Sequence, residues 1–161
     1  MGLVKGNVNF IQSRNGGIPQ AQSWVRIVCE YLTATANHCS QFRKIGGSAV
    51  YRVPVGKTFK CKSAYLSSGG TSAIAQFSVG YADNAPPAFP GGVFTPTNPV
   101  YFGTGDTTKY GIQGFNTVAA GINQTIVDMR GFDIPAQKYP FVIVTTTGGG
   151  TISADILGDE V

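Results

Sequence analysis

Charge is scarce in this chain. Only 12% of its 161 residues are Asp, Glu, Lys or Arg, against roughly 25% in an ordinary soluble domain. A surface so poor in charge is either covered by partners or built from Ser, Thr, Asn and Gln, and the first case suits a protein that assembles. No apolar run approaches the ~20 residues a membrane-spanning helix needs, and no stretch carries the 3.6-residue apolar period of an amphipathic helix. The opening Met1-Gly2-Leu3-Val4-Lys5-Gly6-Asn7 lacks the apolar segment of a secretory signal. Nor does it place Ser or Thr where the myristoylation pattern wants one. The three cysteines, Cys29, Cys39 and Cys61, are odd in number, so a disulfide framework is not expected and synthesis in a reducing cytoplasm is.

Residues that do chemistry are equally sparse. His38 is the single histidine, and its sequence neighbour Cys39 is badly placed to act as its nucleophile, because adjacent side chains seldom converge. Cys29, His38, Cys39 and Cys61 could supply four zinc ligands, but no C-x-x-C pair is present, and thiols on apolar strand faces are ordinarily structural. A paired-carboxylate hydrolase would draw on Glu30, Asp83, Asp106, Asp128, Asp133, Asp155, Asp159 and Glu160. Most of these fall in turns or at strand ends, where Asp caps local backbone. Gly103-Thr104-Gly105-Asp106 has no Gly-Lys-Ser/Thr and no following helix, so it reads as a turn and not a phosphate loop. Calcium in the loops near Asp83 or Asp106, and sugars stacked on Trp24, Phe89 or Tyr110, belong to a carbohydrate-binding reading. The expectation is no enzyme, no metal and no cofactor.

What is abundant is the material of strands and turns: 22 glycines and nine prolines among many Val, Thr, Tyr and Phe. Trp24–Thr33 alternates, with Val25, Ile27, Cys29 and Tyr31 on one face. Phe59–Leu66 alternates as well, which predicts Phe59, Cys61, Ser63 and Tyr65 inward and Lys60, Lys62 and Ala64 outward. Ala73–Tyr81, Tyr110–Val118, Gly121–Met129 and Thr151–Leu157 follow the same period. Phe141–Thr145 is apolar throughout, which predicts a central strand covered on both faces. Pro54-Val55-Gly56-Lys57 and Pro135-Ala136-Gln137-Lys138 are matching turns, each preceded by an apolar residue and leading into a strand. About nine to eleven short strands result. The expected fold is all-β, an antiparallel two-sheet sandwich or barrel of jelly-roll type. Residues 1–22 form an arm or first strand, and 23–161 a single domain.

Two features bear on partners. Through Lys62 there are nine basic residues against one acid, and from Ser63 onward three against seven. A solvated strand face would account for this asymmetry, and so would a head-to-tail contact between basic and acidic surfaces of neighbouring copies; Lys5, Arg14, Arg26, Arg43 and Lys44 of the basic N-terminal third are the contact candidates. The bases are too dispersed, and too rarely interleaved with aromatics, for a nucleic-acid groove. The second feature is residues 82–99, which hold five of the nine prolines. A loop of that length is often functional. Phe89 and Phe94 within it require burial, either between copies of the chain or on its own sheet.

Four segments carry a resemblance: Val53-Pro54-Val55-Gly56-Lys57-Thr58-Phe59, Phe77-Ser78-Val79-Gly80-Tyr81-Ala82-Asp83, Thr95-Pro96-Thr97-Asn98-Pro99-Val100-Tyr101 and Ile134-Pro135-Ala136-Gln137-Lys138-Tyr139-Pro140-Phe141-Val142-Ile143. Residues 50–161 resemble small β-sandwich virion proteins of tailed bacteriophages, most of all capsid decoration (cement) proteins and more distantly single jelly-roll capsid proteins. Gln137 stands where that pattern prefers glycine, and residues 1–49 match no part of it. The resemblance implies a non-enzymatic homo-oligomer, a trimer before a dimer, seated on the major capsid protein at the virion surface after synthesis in the host cytoplasm. A carbohydrate-binding sandwich module of a phage tail or secreted enzyme is the alternative.

Overall fold

The computed structural model describes residues 24–33, 38–69, 74–102, 123–146 and 150–161. Within them, the alternating segments become strands. These are β1 (Trp24–Thr33), β2 (His38–Cys39), β3 (Arg43–Lys44), β4 (Phe59–Gly69), β5 (Ile74–Ala82), β6 (Gly92–Val93), β7 (Val100–Tyr101), β8 (Asn123–Asp128), β9 (Asp133–Ile134), β10 (Tyr139–Thr146) and β11 (Gly150–Glu160). The described residues contain no helix. The expected strands at 8–11 and 110–118, and the arm 1–22, lie outside them.

One sheet runs β3-β1-β11-β4-β8, with β9 also on β4; the other runs β6-β2-β10-β5-β7. Every pairing is antiparallel. With the short strands β3, β6 and β9 set aside as additions at the edges, the remaining described strands pair in a nested order, β1 with β11, β2 with β10, β4 with β8 and β5 with β7. That is one long hairpin ribbon rolled into two sheets, the connectivity of a jelly roll. The jelly-roll expectation therefore holds.

The core lies between the sheets. Ile27 from β1, Phe59, Cys61 and Ala64 from β4, and Ala154 and Ile156 from β11 face Val79 from β5 and Val142 from β10, and Met129, Ile134, Phe42 and Val53 close the sides. Burial of such side chains stabilises a fold by about 1.5–3 kcal/mol each relative to exposure. One inward expectation fails. Phe59 and Cys61 are buried, but so is Ala64, while Tyr65 is 45% exposed. The cause is a bulge: the β11–β4 register shifts between Leu157, opposite Ser63, and Gly158, opposite Cys61. Lys62 is the extra residue, and its carbonyl accepts from Met129 N–H at 2.9 Å. One inserted residue moves every later side chain to the other face.

The two matching turns meet. Lys57 N–H donates to Pro54 C=O at 3.1 Å and Lys138 N–H to Pro135 C=O at 3.4 Å. The third residue of each, Gly56 at φ 72° and Gln137 at φ 65°, is left-handed, as a type II turn requires. Val53 then exchanges backbone bonds with the second turn, donating to Lys138 C=O at 3.1 Å and accepting from Gln137 N–H at 2.8 Å. Each turn precedes the third strand of a four-strand half, β4 in one and β10 in the other.

Candidate functional site

The outer face of the β1-β11-β4 sheet is where the charge collects. β11 is the acidic strand, and it lies between β1, which carries Arg26, and β4, which carries Lys60 and Lys62. Arg26 of β1 bonds Asp155 through both Nε, at 3.1 Å, and Nη2. Lys62 Nζ of β4 sits 2.8 Å from Asp159 on the same face, whereas Lys44 Nζ of β3, directly across from buried Ile27, sits 2.8 Å from Glu160 at the core-side end of the sheet. The basic first third and the acidic remainder of the sequence thus find each other inside one chain. β3 pairs β1 with Val28 opposite Arg43 and Ile27 opposite Lys44, so Arg43 shares the outer face with Arg26 while Lys44 stands on the other face. Arg26 and Lys44 are nonetheless committed to acids of β11, and Arg43 is engaged as well. The hydrogen bond from Arg26 to Asp155, and then the carboxylate's charge, raise the guanidinium pKa further. Lys5 and Arg14 lie outside the described residues.

Glu160 is a junction at one end of this sheet. Besides Lys44 it accepts from the Tyr51 hydroxyl at 3.0 Å. Burial, followed by that hydrogen bond, pushes the Tyr51 phenol upward. Lys44 Nζ lies 5.8 Å from the Tyr51 ring centroid, and the ring packs edge-on against Phe59 at 5.6 Å. A cleft of about 360 Å³ beside it is bounded by Lys44 and the segment from Gly47 to Arg52.

The opposite outer face is sealed by the chain itself. After β5 the loop crosses the sheet to reach β6, beyond β2, and then returns to β7 on the far edge. On the way it drops Phe94 onto Phe141 of β10, centroid to centroid 5.7 Å, with Tyr101 at 5.4 Å on the same ring. Cys39, Ala82, Phe94 and Phe141 form a second buried cluster, separate from the main core. Phe141 faces it while Val142 faces the main core, so β10 is covered on both sides, as its continuous apolar run implied. The loop is tied down. Asp83 accepts from Asn98 Nδ2 at 2.8 Å and pairs with Lys138. Asn84 donates to Thr95 C=O at 3.1 Å and accepts from Thr97 N–H at 2.7 Å, and Gln41 N–H reaches Pro87 C=O at 2.8 Å.

The two loop phenylalanines therefore part. Phe94 is 6% exposed in its own chain's second cluster, which corrects its expected place between copies; Phe89 is 58% exposed. Val93 on β6 and Val100 on β7 are also exposed.

The remaining candidates are dispersed. Cys39 lies in the second cluster and Cys61 in the main core, on opposite sides of a sheet, and burial pushes both thiols up to about 12. Asp128 accepts from Arg130 N–H at 3.0 Å as well as from its guanidinium, the cap-and-pair role expected of turn acids, and its pKa falls to about 2. Lys138 and then Asn98 lower that of Asp83. Among the described residues no three His, Cys, Asp or Glu side chains gather as a metal site. The sequence reading missed Tyr65 as an outer-face residue, since only the bulge at Lys62 puts it there. Compared with known proteins, the chain matches no family model and no curated protein.

Proposed function

We propose that this chain is a non-enzymatic structural protein of a bacteriophage virion, a decoration or cement protein that seats on the major capsid protein as a homo-oligomer, a trimer before a dimer. The observation that carries the reading is the jelly-roll connectivity of the eight principal strands, an architecture that viral capsid proteins use repeatedly. Fold alone does not assign function, so two further features matter. On the described sheet face Arg26 and Lys62 are paired within the chain, so the reading puts the principal capsid contacts on Lys5 and Arg14, on residues 1–22. Phe89 and Val93, both exposed, offer apolar surface for contact between copies.

The test is co-sedimentation of the full chain, and of a chain lacking residues 1–22, with heads of the virus that encodes it. Full-length protein is expected to pellet with heads at a fixed stoichiometry, and the shortened chain to remain folded and pellet much less. No pelleting of the full chain would overturn the reading.

A further inference from the structure

Two features stand outside the proposed role: the cleft beside Tyr51, and a depression on the outer face of the β1-β11-β4 sheet. The second carries furthest. Arg26, Tyr65, Asp155 and Leu157 border a cavity of about 370 Å³, within the usual size range for small-molecule sites. All four stand on the outer face. Tyr65 lies directly across from Asp155, and Leu157 directly across from Arg26, so cross-strand neighbours about 5 Å apart bring them together. Tyr65 is placed here by the bulge described above. A phenol ring 45% exposed on a folded sheet is a flat apolar wall with no ring of its own chain laid over it among the described residues.

We infer that this depression binds a neutral saccharide unit. A pyranose has an apolar C–H face and a rim of hydroxyls that both donate and accept, and the cavity offers the complement of each. Tyr65 supplies the stacking plane and Leu157 an apolar floor. The Arg26 contacts both converge on one oxygen of Asp155, Oδ2, so Oδ1 can accept from one sugar hydroxyl while the remaining guanidinium edge donates to its neighbour. The ion pair is held before any ligand arrives, which fixes both groups without further ordering cost. It also selects by charge. An anion or cation would gain one member of the pair and be repelled by the other, whereas a polyol engages both. This inference does not rest on the virion reading, and a saccharide on the outer sheet face would be compatible with any assembly made through Phe89.

The test is saturation-transfer NMR on the full chain with glucose, galactose, mannose and N-acetylglucosamine, each at millimolar concentration, and with sialic acid as the charged comparison. At least one neutral sugar is expected to receive saturation, strongest on the protons of one ring face. Tyr65→Ala should weaken binding at least tenfold, Tyr65→Phe should hold it within about threefold, and Asp155→Asn should fall between. Amide spectra of each variant establish that the fold is kept. Absence of transfer to all four neutral sugars, transfer to sialic acid alone, or equal binding by a folded Tyr65→Ala variant would each overturn the proposal.

Discussion

The two outer faces of the sandwich meet the same problem in opposite ways. The β6-β2-β10-β5-β7 sheet hides its outer face beneath its own proline-rich loop, with Phe94 and Tyr101 packed on Phe141. Among the described residues, the outer face of the β1-β11-β4 sheet is covered by matched charges drawn from distant parts of the sequence, Arg26 with Asp155 and Lys62 with Asp159. The first is a second small core, where each side chain should matter for stability. The second is a solvated lattice of ion pairs, where single changes should matter little. Burial of apolar rings against exposure of charges decides which face can afford to carry a binding surface.

That contrast can be broken or sharpened by mutation, followed by urea unfolding with the slope checked. The largest effect is expected at Phe94→Ala, which empties the sealed cluster and should cost about 3–5 kcal/mol; Phe89→Ala, five residues away and exposed, should change stability by less than about 0.5 kcal/mol. Gly80→Ala comes next. A Cβ there would lie 2.3 Å from Val100 C=O and 2.8 Å from Phe141 Cζ, and such overpacking typically costs about 1–3 kcal/mol. Gln137→Gly should stabilise by up to about 1 kcal/mol, because a left-handed residue with a Cβ is replaced by one without. On the open face, Arg26→Ala should cost no more than about 1 kcal/mol, and less in high salt.

The pH response follows from the acids. Asp128 has a folded pKa of about 2, below its unfolded value of about 3.9, and that of Asp83 is lowered too. A depressed carboxyl stabilises the fold above its unfolded pKa and loses that contribution as pH falls through the folded one. The melting temperature should therefore hold steady above about pH 5 and drop between about pH 4 and 2. Asp128→Asn should flatten part of that acid limb.

Much of this architecture was legible in the residues. Alternation in Trp24–Thr33 and Thr151–Leu157 marked half-buried strands, and the unbroken apolar run from Phe141 marked a strand covered twice. The matched turns at Pro54 and Pro135 showed their kinship before they were seen side by side. What was not legible depends on contacts distant in sequence. Nothing local announces the bulge at Lys62, since it is set by pairing with Leu157 and Gly158, and Tyr65 was accordingly assigned inward. The charge asymmetry was visible, but which charges meet within the chain is a matter of topology, set by β11 lying between β1 and β4. Phe89 and Phe94 look alike in the sequence. Only the path of the loop across β10 separates a core ring from a surface one.

The central claim is that an exposed loop ring, Phe89, joins copies of the protein. Native mass by light scattering at micromolar concentration tests it most directly, for the full chain and for Phe89→Ser. The account predicts a concentration-independent trimer or dimer, and a lower mass for the folded Phe89→Ser variant. A monomer at every concentration, or an oligomer whose mass the substitution leaves unchanged, would contradict it.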